Sequence, residues 1–142
     1  MLVLNVVWVF SPDRCKVLMC KRHKEPYLGL YNLVGGKVEP DERGLDAAHR
    51  ELEEETGITR KDLAKELHHL MDCVYYNSVH QAGTVRVEMY VGKLIADVPV
   101  RGDEKELVWI DVTENLFDMA RFAGEGNLGH MYEQIKLRPQ LI

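Results

Sequence analysis

Cysteine is scarce in this chain. Its three cysteines, Cys15, Cys20 and Cys73, are odd in number and form no C-x-x-C pair. This usage argues against a disulfide framework and indicates reduced thiols. The six histidines show no spacing typical of metal ligands, so the sequence does not predict a zinc site.

Basic charge is also in short supply. The chain has 18 Lys and Arg against 23 Asp and Glu, which gives a formal net charge of −5. It therefore lacks the broad positive field that attracts nucleic acid or an anionic membrane. The apolar stretch 2–10 is far shorter than the roughly 20 residues that span a bilayer. We expect a cytoplasmic protein whose partner is a small molecule, with neither nucleic acid nor membrane as a partner.

The remaining composition is that of an ordinary globular protein. Of its 142 residues, 46% are hydrophobic and 29% are charged, with no repeat or low-complexity tract. A chain of this length can bury a substantial core and fits the usual size of one domain. We therefore predict a single domain over residues 1–142.

Acidic residues cluster in one segment after two adjacent glycines. On a helix, Glu51, Glu54 and Glu55 stand at i, i+3 and i+4, so three carboxylates share one face. Like charges at that spacing cost about 0.2–0.5 kcal/mol per pair. A bound cation would offset this cost, and oxygen ligands of this kind suit Mg²⁺ or Mn²⁺. A solvated acidic surface is the alternative interpretation.

The helix that carries these carboxylates has clear signals at both ends. Its apolar stripe, formed by Leu45, Ala48 and Leu52, predicts the face that packs on the core. We expect Glu42, with its neighbour at position 41, in the first turn, where the helix dipole favours acids. Gly57 is placed to end the helix.

The segment 36–58 resembles the Nudix box at every signature position. Its pattern is Gly36, then Glu42, then Arg50-Glu51-Leu52-x-Glu54-Glu55-x-Gly57-Ile58. The resemblance implies an α/β/α sandwich with a mixed central sheet. It also implies a metal-dependent hydrolase acting on nucleoside diphosphates linked to another group.

The same resemblance implies roles for individual residues. It assigns Glu51, Glu54 and Glu55 as ligands of Mg²⁺, or of Mn²⁺, together with the backbone carbonyl of Gly35. Glu51 and Glu54 are thereby catalytic residues, and Arg50, a brace for several carboxylates, supports them.

A further carboxylate is needed as general base or additional ligand. We predict Glu104, on a loop five residues before Trp109, a spacing that resembles Nudix sanitisers of oxidised purine nucleoside triphosphates. Asp103 on the same loop and Glu88 on a strand are the alternatives.

Two cations are candidates for binding substrate phosphates. Arg22 follows the second predicted strand, and its planar fork can bind phosphate oxygens with two hydrogen bonds. Lys37 comes directly after the two glycines. Solvated positions at a strand end and in a turn are the alternatives for both residues.

Two amides are candidates for recognition of a base. Asn32 lies just upstream of the two glycines, and Asn127 opens the last predicted helix, as in MutT-like relatives. An amide offers a donor and an acceptor to a purine edge. Asn127 could instead serve only as an N-cap, and Asn32 could be an ordinary loop amide.

The resemblance therefore predicts a Mg²⁺-dependent hydrolase that releases a nucleoside monophosphate and pyrophosphate, with 8-oxo-dGTP as a candidate substrate. Dinucleoside polyphosphates, nucleotide sugars or ADP-ribose are alternatives. A non-catalytic nucleotide sensor is another, although such domains usually lose glutamates of the box. A homodimer is possible.

Hydrophobic patterning predicts the remaining elements. The segment near residue 86 alternates apolar and polar side chains, which indicates a strand with one wet face. A turn or short helix is expected at 111–114. The predicted strands are 2–10, 16–21, 30–34, 67–78, 85–96 and 107–111, and the last predicted helix is 127–137.

Overall fold

The computed structural model describes residues 1–76, 83–102 and 105–142. Within these ranges the strands are β1 (Leu2–Phe10), β2 (Lys16–Lys21), β3 (Tyr31–Leu33), β4 (His68–Tyr76), β5 (Thr84–Lys93) and β6 (Glu106–Asp111). The helices are α1 (Gly44–Thr56) and α2 (Asn127–Lys136), with short 3₁₀ helices at Arg60–Asp62 and Pro139–Leu141. Neither α-helix of the described segments is long and apolar enough to cross a membrane.

All six predicted strands are confirmed, two of them residue for residue. β1 and β2 have the predicted bounds, whereas the other four strands begin or end one to three residues from the predicted positions within the described ranges. The end predicted for β4, at 77–78, lies outside the described residues. The segment 111–114 forms the predicted turn, in which Thr113 N–H donates to Asp111 Oδ1 at 2.9 Å.

The sheet is mixed, as predicted. Its strand order is β3-β2-β1-β5-β4, and β6 pairs with β2 off this path. β1 and β5 run parallel, from Leu2 opposite Val85 to Phe10 opposite Lys93. The other pairings are antiparallel. β1 therefore lies at the centre of the sheet, which explains its largely apolar character.

One helix covers each face of this sheet. On β1, Val7 and Val9 belong to the core that contains Leu52 of α1, whereas Trp8 belongs to the core that contains Met131 of α2. Alternate residues of a strand point to opposite faces, so this single strand supplies both cores. The α/β/α arrangement predicted from the sequence is confirmed.

The prediction that one face of β5 is exposed to solvent is wrong. Glu88 is only 9% exposed and Tyr90 only 3%, because this face lies under α1. Their polar groups satisfy each other: Tyr90 OH donates to Glu88 Oε1 at 3.1 Å, and Arg86 Nη2 donates to Glu88 Oε2 at 3.3 Å. Gly44 leaves the space they occupy, since a side chain there would overlap both. Alternation alone cannot distinguish solvent from a covering helix.

The predicted start of α1 is also wrong. The helix begins at Gly44 with Arg43 in the N-cap position, so Glu42 precedes it. Glu42 instead closes a turn, in which Glu39 N–H donates to Glu42 Oε1 at 3.0 Å. The acid in the first turn is Asp46.

The last helix has the expected buried face but a different start. Leu128, Met131 and Ile135 are buried, as predicted. Gly126, with φ +91°, occupies the N-cap position, and Asn127 makes no capping bond. Asn127 is therefore not the N-cap, and its side chain is available for other contacts.

Gly57 ends α1 in the left-handed conformation, with φ +81° and its N–H donating to Glu53 O at 2.9 Å. A Cβ built on Gly57 would meet no atom within 4 Å, so only backbone strain opposes a side chain. We expect Gly57→Ala to lower the free energy of unfolding by about 1 kcal/mol, measured by urea denaturation. Gly57→Asn should lose less, because asparagine tolerates this conformation. Equal stability of wild type and Gly57→Ala would contradict this account.

Candidate active site

The site forms where two strands diverge. β1 and β2 pair only at Phe10 and Val17. Along the rest of its length, β2 pairs with β6 and β3 instead. The segment 34–37 takes the place beside β1, with isolated antiparallel bridges to it at Val34 and Lys37. The two glycines between these bridges therefore lie against the middle of β1.

The two glycines are in close contact with β1 and with α1. Gly35, at φ +150°, donates its N–H to Glu55 Oε2 at 3.0 Å. Gly36 donates its N–H to Asn5 Oδ1 at 2.9 Å. A side chain at Gly36 would overlap the carboxylate of Glu51. A side chain at Gly35 would overlap Asn5 of β1, so both positions require glycine.

Arg50 braces the carboxylates. Its Nε and Nη2 donate to both oxygens of Glu42, at 3.1 and 2.6 Å, and its Nη1 donates to Glu51 Oε1 at 2.9 Å and to Glu54 Oε2 at 3.2 Å. Nη2 also donates to Lys37 O at 3.0 Å. The hydrogen bonds to Glu42 raise the pKa of Arg50 above its ordinary value. One guanidinium thus ties the loop to the helix.

Glu55 is the most buried carboxylate of the acidic face, and a second cation lies beside it. Its side chain is 13% exposed, and Lys105 Nζ lies 3.3 Å from Glu55 Oε1. Burial raises the pKa of Glu55, and the Gly35 N–H and Lys105 oppose this rise. Lys105 is not among the predicted site residues, and no pattern in the sequence marks it. The pairing of β6 with β2 brings it here.

The donor set fits a hard divalent cation. Glu51 and Glu54 each give one oxygen to Arg50 and keep the other, so oxygens of the kind Mg²⁺ prefers remain on one face. Within the described ranges, no three acidic, His or Cys side chains already converge on one point. Arg50 and Lys105 hold these carboxylates on the face of α1 that is turned to the glycine segment.

A cavity of about 480 Å³ opens beside the glycine turn. It brings together four of the predicted site residues, Arg22, Asn32, Gly35 and Asn127, and adds Lys105. These residues come from widely separated parts of the chain. The apolar part of its wall is formed by Leu4, Val6, Leu33, Val87, Leu128 and Met131.

The polar groups of the cavity are partly committed to other protein groups. Asn32 Oδ1 accepts from Leu33 N–H at 2.8 Å, which leaves its amide nitrogen for a ligand. Arg22 Nε donates to Pro26 O at 2.6 Å, which leaves the terminal nitrogens of its guanidinium group for a ligand. Asn127 Nδ2 donates to the Tyr75 hydroxyl at 2.8 Å.

Some predicted residues lie elsewhere. Lys37 is exposed and lines a second cavity of about 630 Å³, together with Arg86 and Glu88. The structure therefore does not bring Lys37 or Glu88 to the first cavity. Asp103 and Glu104, the other candidates for a general base, lie outside the described residues.

A NUDIX domain family model matches residues 1–132, and the chain belongs to this family and is a Nudix hydrolase. A Mycobacterium tuberculosis protein named "Putative 8-oxo-dGTP diphosphatase 2" is 34% identical over 101 residues, covering 70% of this chain and 67% of that protein.

Solved structures share the fold. A C. elegans Ap4A hydrolase, in a binary complex, has TM-score 0.77 and 18% identity, with all of both chains covered. The NUDIX domain of Shewanella oneidensis NrtR, in complex with ADP ribose, has TM-score 0.72 and 20% identity, covering 97% of this chain and 88% of that one. A MutT/nudix family protein from Enterococcus faecalis has TM-score 0.65 and 23% identity over 77% of this chain, which spans only 43% of that protein.

Proposed function

We propose that this chain is a Mg²⁺-dependent pyrophosphohydrolase of nucleoside triphosphates, releasing the monophosphate and pyrophosphate, with oxidised purine nucleotides such as 8-oxo-dGTP as preferred substrates. The observation that carries the proposal is the cavity whose wall combines two amides with Gly35 and Gly36, the glycines that contact Glu55 and Glu51. The proposal includes a single domain over residues 1–142 and a cytoplasmic location. It also keeps a homodimer as a prediction.

A phosphoanhydride resists water because its oxygens are negatively charged. Glu51, Glu54 and Glu55, with the Gly35 carbonyl, would hold Mg²⁺, which when bound neutralises this charge and lowers the pKa of water. Arg50 keeps two of these carboxylates on one side of the helix. The proton of the attacking water would pass to a carboxylate, for which Glu104 is our prediction and Asp103 the alternative.

The cavity suits a nucleotide with the base inside and the phosphates toward α1. Its apolar wall can cover a purine ring, while Asn32 and Asn127 supply polar groups for the ring edge. The free part of the Arg22 fork and Lys105 supply cations in the cavity wall, and Lys105 Nζ lies 3.3 Å from Glu55 of α1. Lys105 therefore replaces Lys37 as the proposed phosphate ligand, because Lys37 faces the second cavity.

Tyr75 orients one of the amides. Burial raises the pKa of Tyr75, so its hydroxyl stays protonated and can hold Asn127. We expect Tyr75→Phe to raise the KM for the preferred purine triphosphate about 5–10-fold, equivalent to one hydrogen bond of about 1 kcal/mol. The kcat should change little, because the carboxylates are untouched. Steady-state kinetics measures both constants.

Tyr132→Phe is the matched control for Tyr75→Phe. Tyr132 stacks on Trp8, with ring centroids 5.8 Å apart, and does not line the first cavity. Removal of the Tyr132 hydroxyl should leave the KM for the purine triphosphate unchanged. An equal rise of KM in both variants would refute a specific role for Tyr75.

The proposal is tested by a turnover panel with Mg²⁺ over dGTP, 8-oxo-dGTP, ADP-ribose, diadenosine tetraphosphate and nucleotide sugars. We expect 8-oxo-dGTP to give the highest kcat/KM, with monophosphate and pyrophosphate as the only products. A higher kcat/KM for any other compound would transfer the assignment to that substrate. Absence of turnover for every compound would favour a nucleotide sensor, which the complete set of box glutamates argues against.

Dinucleoside polyphosphates are the second candidate substrates. Tyr76 lines the first cavity and is 76% exposed, so it offers an aromatic surface at the mouth on which a second base could stack. The fold shared with the C. elegans Ap4A hydrolase is compatible with this alternative. The turnover panel separates it from the first.

A further inference from the structure

Asn5 is a buried amide in a strand face that is otherwise apolar. Val7 and Val9, the next residues on the same face of β1, are fully buried, and Asn5 is only 2% exposed. Its Nδ2 has no hydrogen-bond partner among the described residues. A buried donor without a partner destabilises the folded state. Stability alone would therefore favour an apolar residue at this position.

Asn5 holds both backbone polar groups of one glycine. Its own N–H donates to Gly36 O at 2.8 Å, and its Oδ1 accepts from Gly36 N–H at 2.9 Å. The backbone contact requires only a strand, but the second contact requires this side chain. Gly35 also packs directly against Asn5, since a side chain at Gly35 would overlap the Asn5 backbone oxygen and Oδ1.

The bond from Gly36 N–H to Asn5 fixes the direction of the preceding carbonyl. The peptide unit between Gly35 and Gly36 is trans and planar, so its C=O and its N–H point in opposite directions. Because the N–H is directed at Asn5, Gly35 O is directed away from β1. No group of the described residues donates a hydrogen bond to Gly35 O.

The turn lies between Asn5 on one side and the acidic face of α1 on the other. Gly35 N–H donates to Glu55, and the carboxylate of Glu51 lies against Gly36. A peptide unit flanked by two glycines has unusually free rotation on both sides. Without an anchor it could turn over, and its carbonyl oxygen would then point toward β1.

We propose that Asn5 is a positioning residue that fixes the Gly35 carbonyl for the divalent cation. This inference rests on the proposed function, which makes that carbonyl a ligand together with Glu51, Glu54 and Glu55. Asn5 lies in the wall of the first cavity, and its Oδ1 is engaged by Gly36 N–H. It acts through one hydrogen bond to a peptide unit.

The test is Mn²⁺ binding to the free protein, followed by electron paramagnetic resonance, in the variants Asn5→Leu and Asn5→Asp. Loss of a group that orients a ligand typically weakens metal binding about 10–100-fold, which is the loss expected for Asn5→Leu. Asn5→Asp keeps an acceptor for Gly36 N–H and should retain most of the affinity. Hydrogen exchange at the Gly36 amide should become faster in Asn5→Leu and stay slow in Asn5→Asp.

Val7→Ala is the matched control, because it disturbs the same strand face without touching Gly36. It should lose stability and keep its Mn²⁺ affinity. If Asn5→Leu does not fold, Asn5→Ala takes its place, since it removes the amide without adding bulk.

The outcomes separate this inference from the proposed function. A folded Asn5→Leu or Asn5→Ala variant with wild-type Mn²⁺ affinity would overturn the role of Asn5 and leave metal dependence standing. Loss of affinity in Asn5→Asp with a slow Gly36 amide would also overturn it, because the acceptor is then present without effect. Wild-type protein that binds no Mn²⁺ would overturn the metal-dependent function itself.

Discussion

Glu54→Gln is expected to abolish Mg²⁺-stimulated pyrophosphate release while the protein stays folded. The Glu54 side chain is 59% exposed, and its ion pair is a 3.2 Å contact with Arg50. Exposed pairs of this kind contribute about 0–1 kcal/mol to stability. The carboxylate charge, in contrast, is required for a cation on this face, and glutamine supplies no charge.

The expected loss of kcat/KM is at least about 10²-fold, because removal of a ligand exceeds the effect of removing a group that only orients one. Pyrophosphate release is measured against Mg²⁺ concentration in wild type and variant. Glu53→Gln is the matched control, since Glu53 lies on the same helix, is exposed and belongs to no assigned role. Unchanged turnover in Glu54→Gln would end the assignment of Glu54 as a metal ligand.

Arg50→Ala is expected to lower both stability and activity. The variant would leave Glu42 and Glu51, whose side chains are 19% and 14% exposed, without their cation. Breaking a fully buried pair costs about 3–5 kcal/mol; with Arg50 one-third exposed, we expect a loss of about 2 kcal/mol. Activity should fall at least about 10-fold, because Glu51 and Glu54 lose the group that holds them.

Two further variants show whether charge or geometry matters at this position. Arg50→Lys keeps the charge but not the fork that reaches three carboxylates, so its activity should be closer to that of Arg50→Ala than to wild type. Arg43→Ala is the control, because the only contact of the Arg43 side chain with the described residues is an exposed 3.9 Å approach to Asp46. Its stability should stay within about 0.5 kcal/mol of wild type.

The stability loss in Arg50→Ala should depend on pH. The hydrogen bond from Arg50 lowers the pKa of Glu42 below its ordinary value of 4.5. A carboxyl group with a lowered pKa in the folded state stabilises the protein above its unfolded pKa, and this contribution disappears as pH falls through the folded value. The difference between wild type and variant should therefore narrow below pH 4.5. A constant difference over this range would exclude the Glu42 contact as its source.

Local features of the sequence were sufficient to predict most of the fold. β1 and β2 have the predicted bounds because both are mainly apolar segments that are followed by polar residues. The apolar stripe of α1 and the stop at Gly57 follow from side-chain spacing and from the conformational freedom of glycine. These signals depend on residues only a few positions apart, so they can be read from the sequence directly.

The errors arose where distant segments decide the outcome. The sequence pattern predicted that Glu88 faces solvent, but α1 covers it. The pattern also offered Asn127 as an N-cap, but Gly126 has that position and Asn127 contacts Tyr75. Neither contact leaves a trace in the local pattern. The roles predicted for the glutamates of the box stay predictions, and so does the general base.

Two site residues were missed for the same reason, because distant segments of the chain bring them into the site. Asn5 reads as one polar residue in an apolar strand, and Lys105 reads as one cation in a charged loop. Only the pairing of β1 with the glycine segment and of β2 with β6 gives them neighbours in the site. Their importance is a property of the topology.

The parallel pairing of β1 with β5 also governs when the site can form. It joins the start of the chain to a strand that follows the entire acidic segment, and Asn5 lies within it, opposite Glu88. Such distant pairings close late and slowly during folding. We expect the glycine turn to gain its anchor late in folding, so the ion should stabilise the native chain by mass action and bind the unfolded chain weakly. A synthetic peptide of residues 36–58 would carry every box residue and still lack the site.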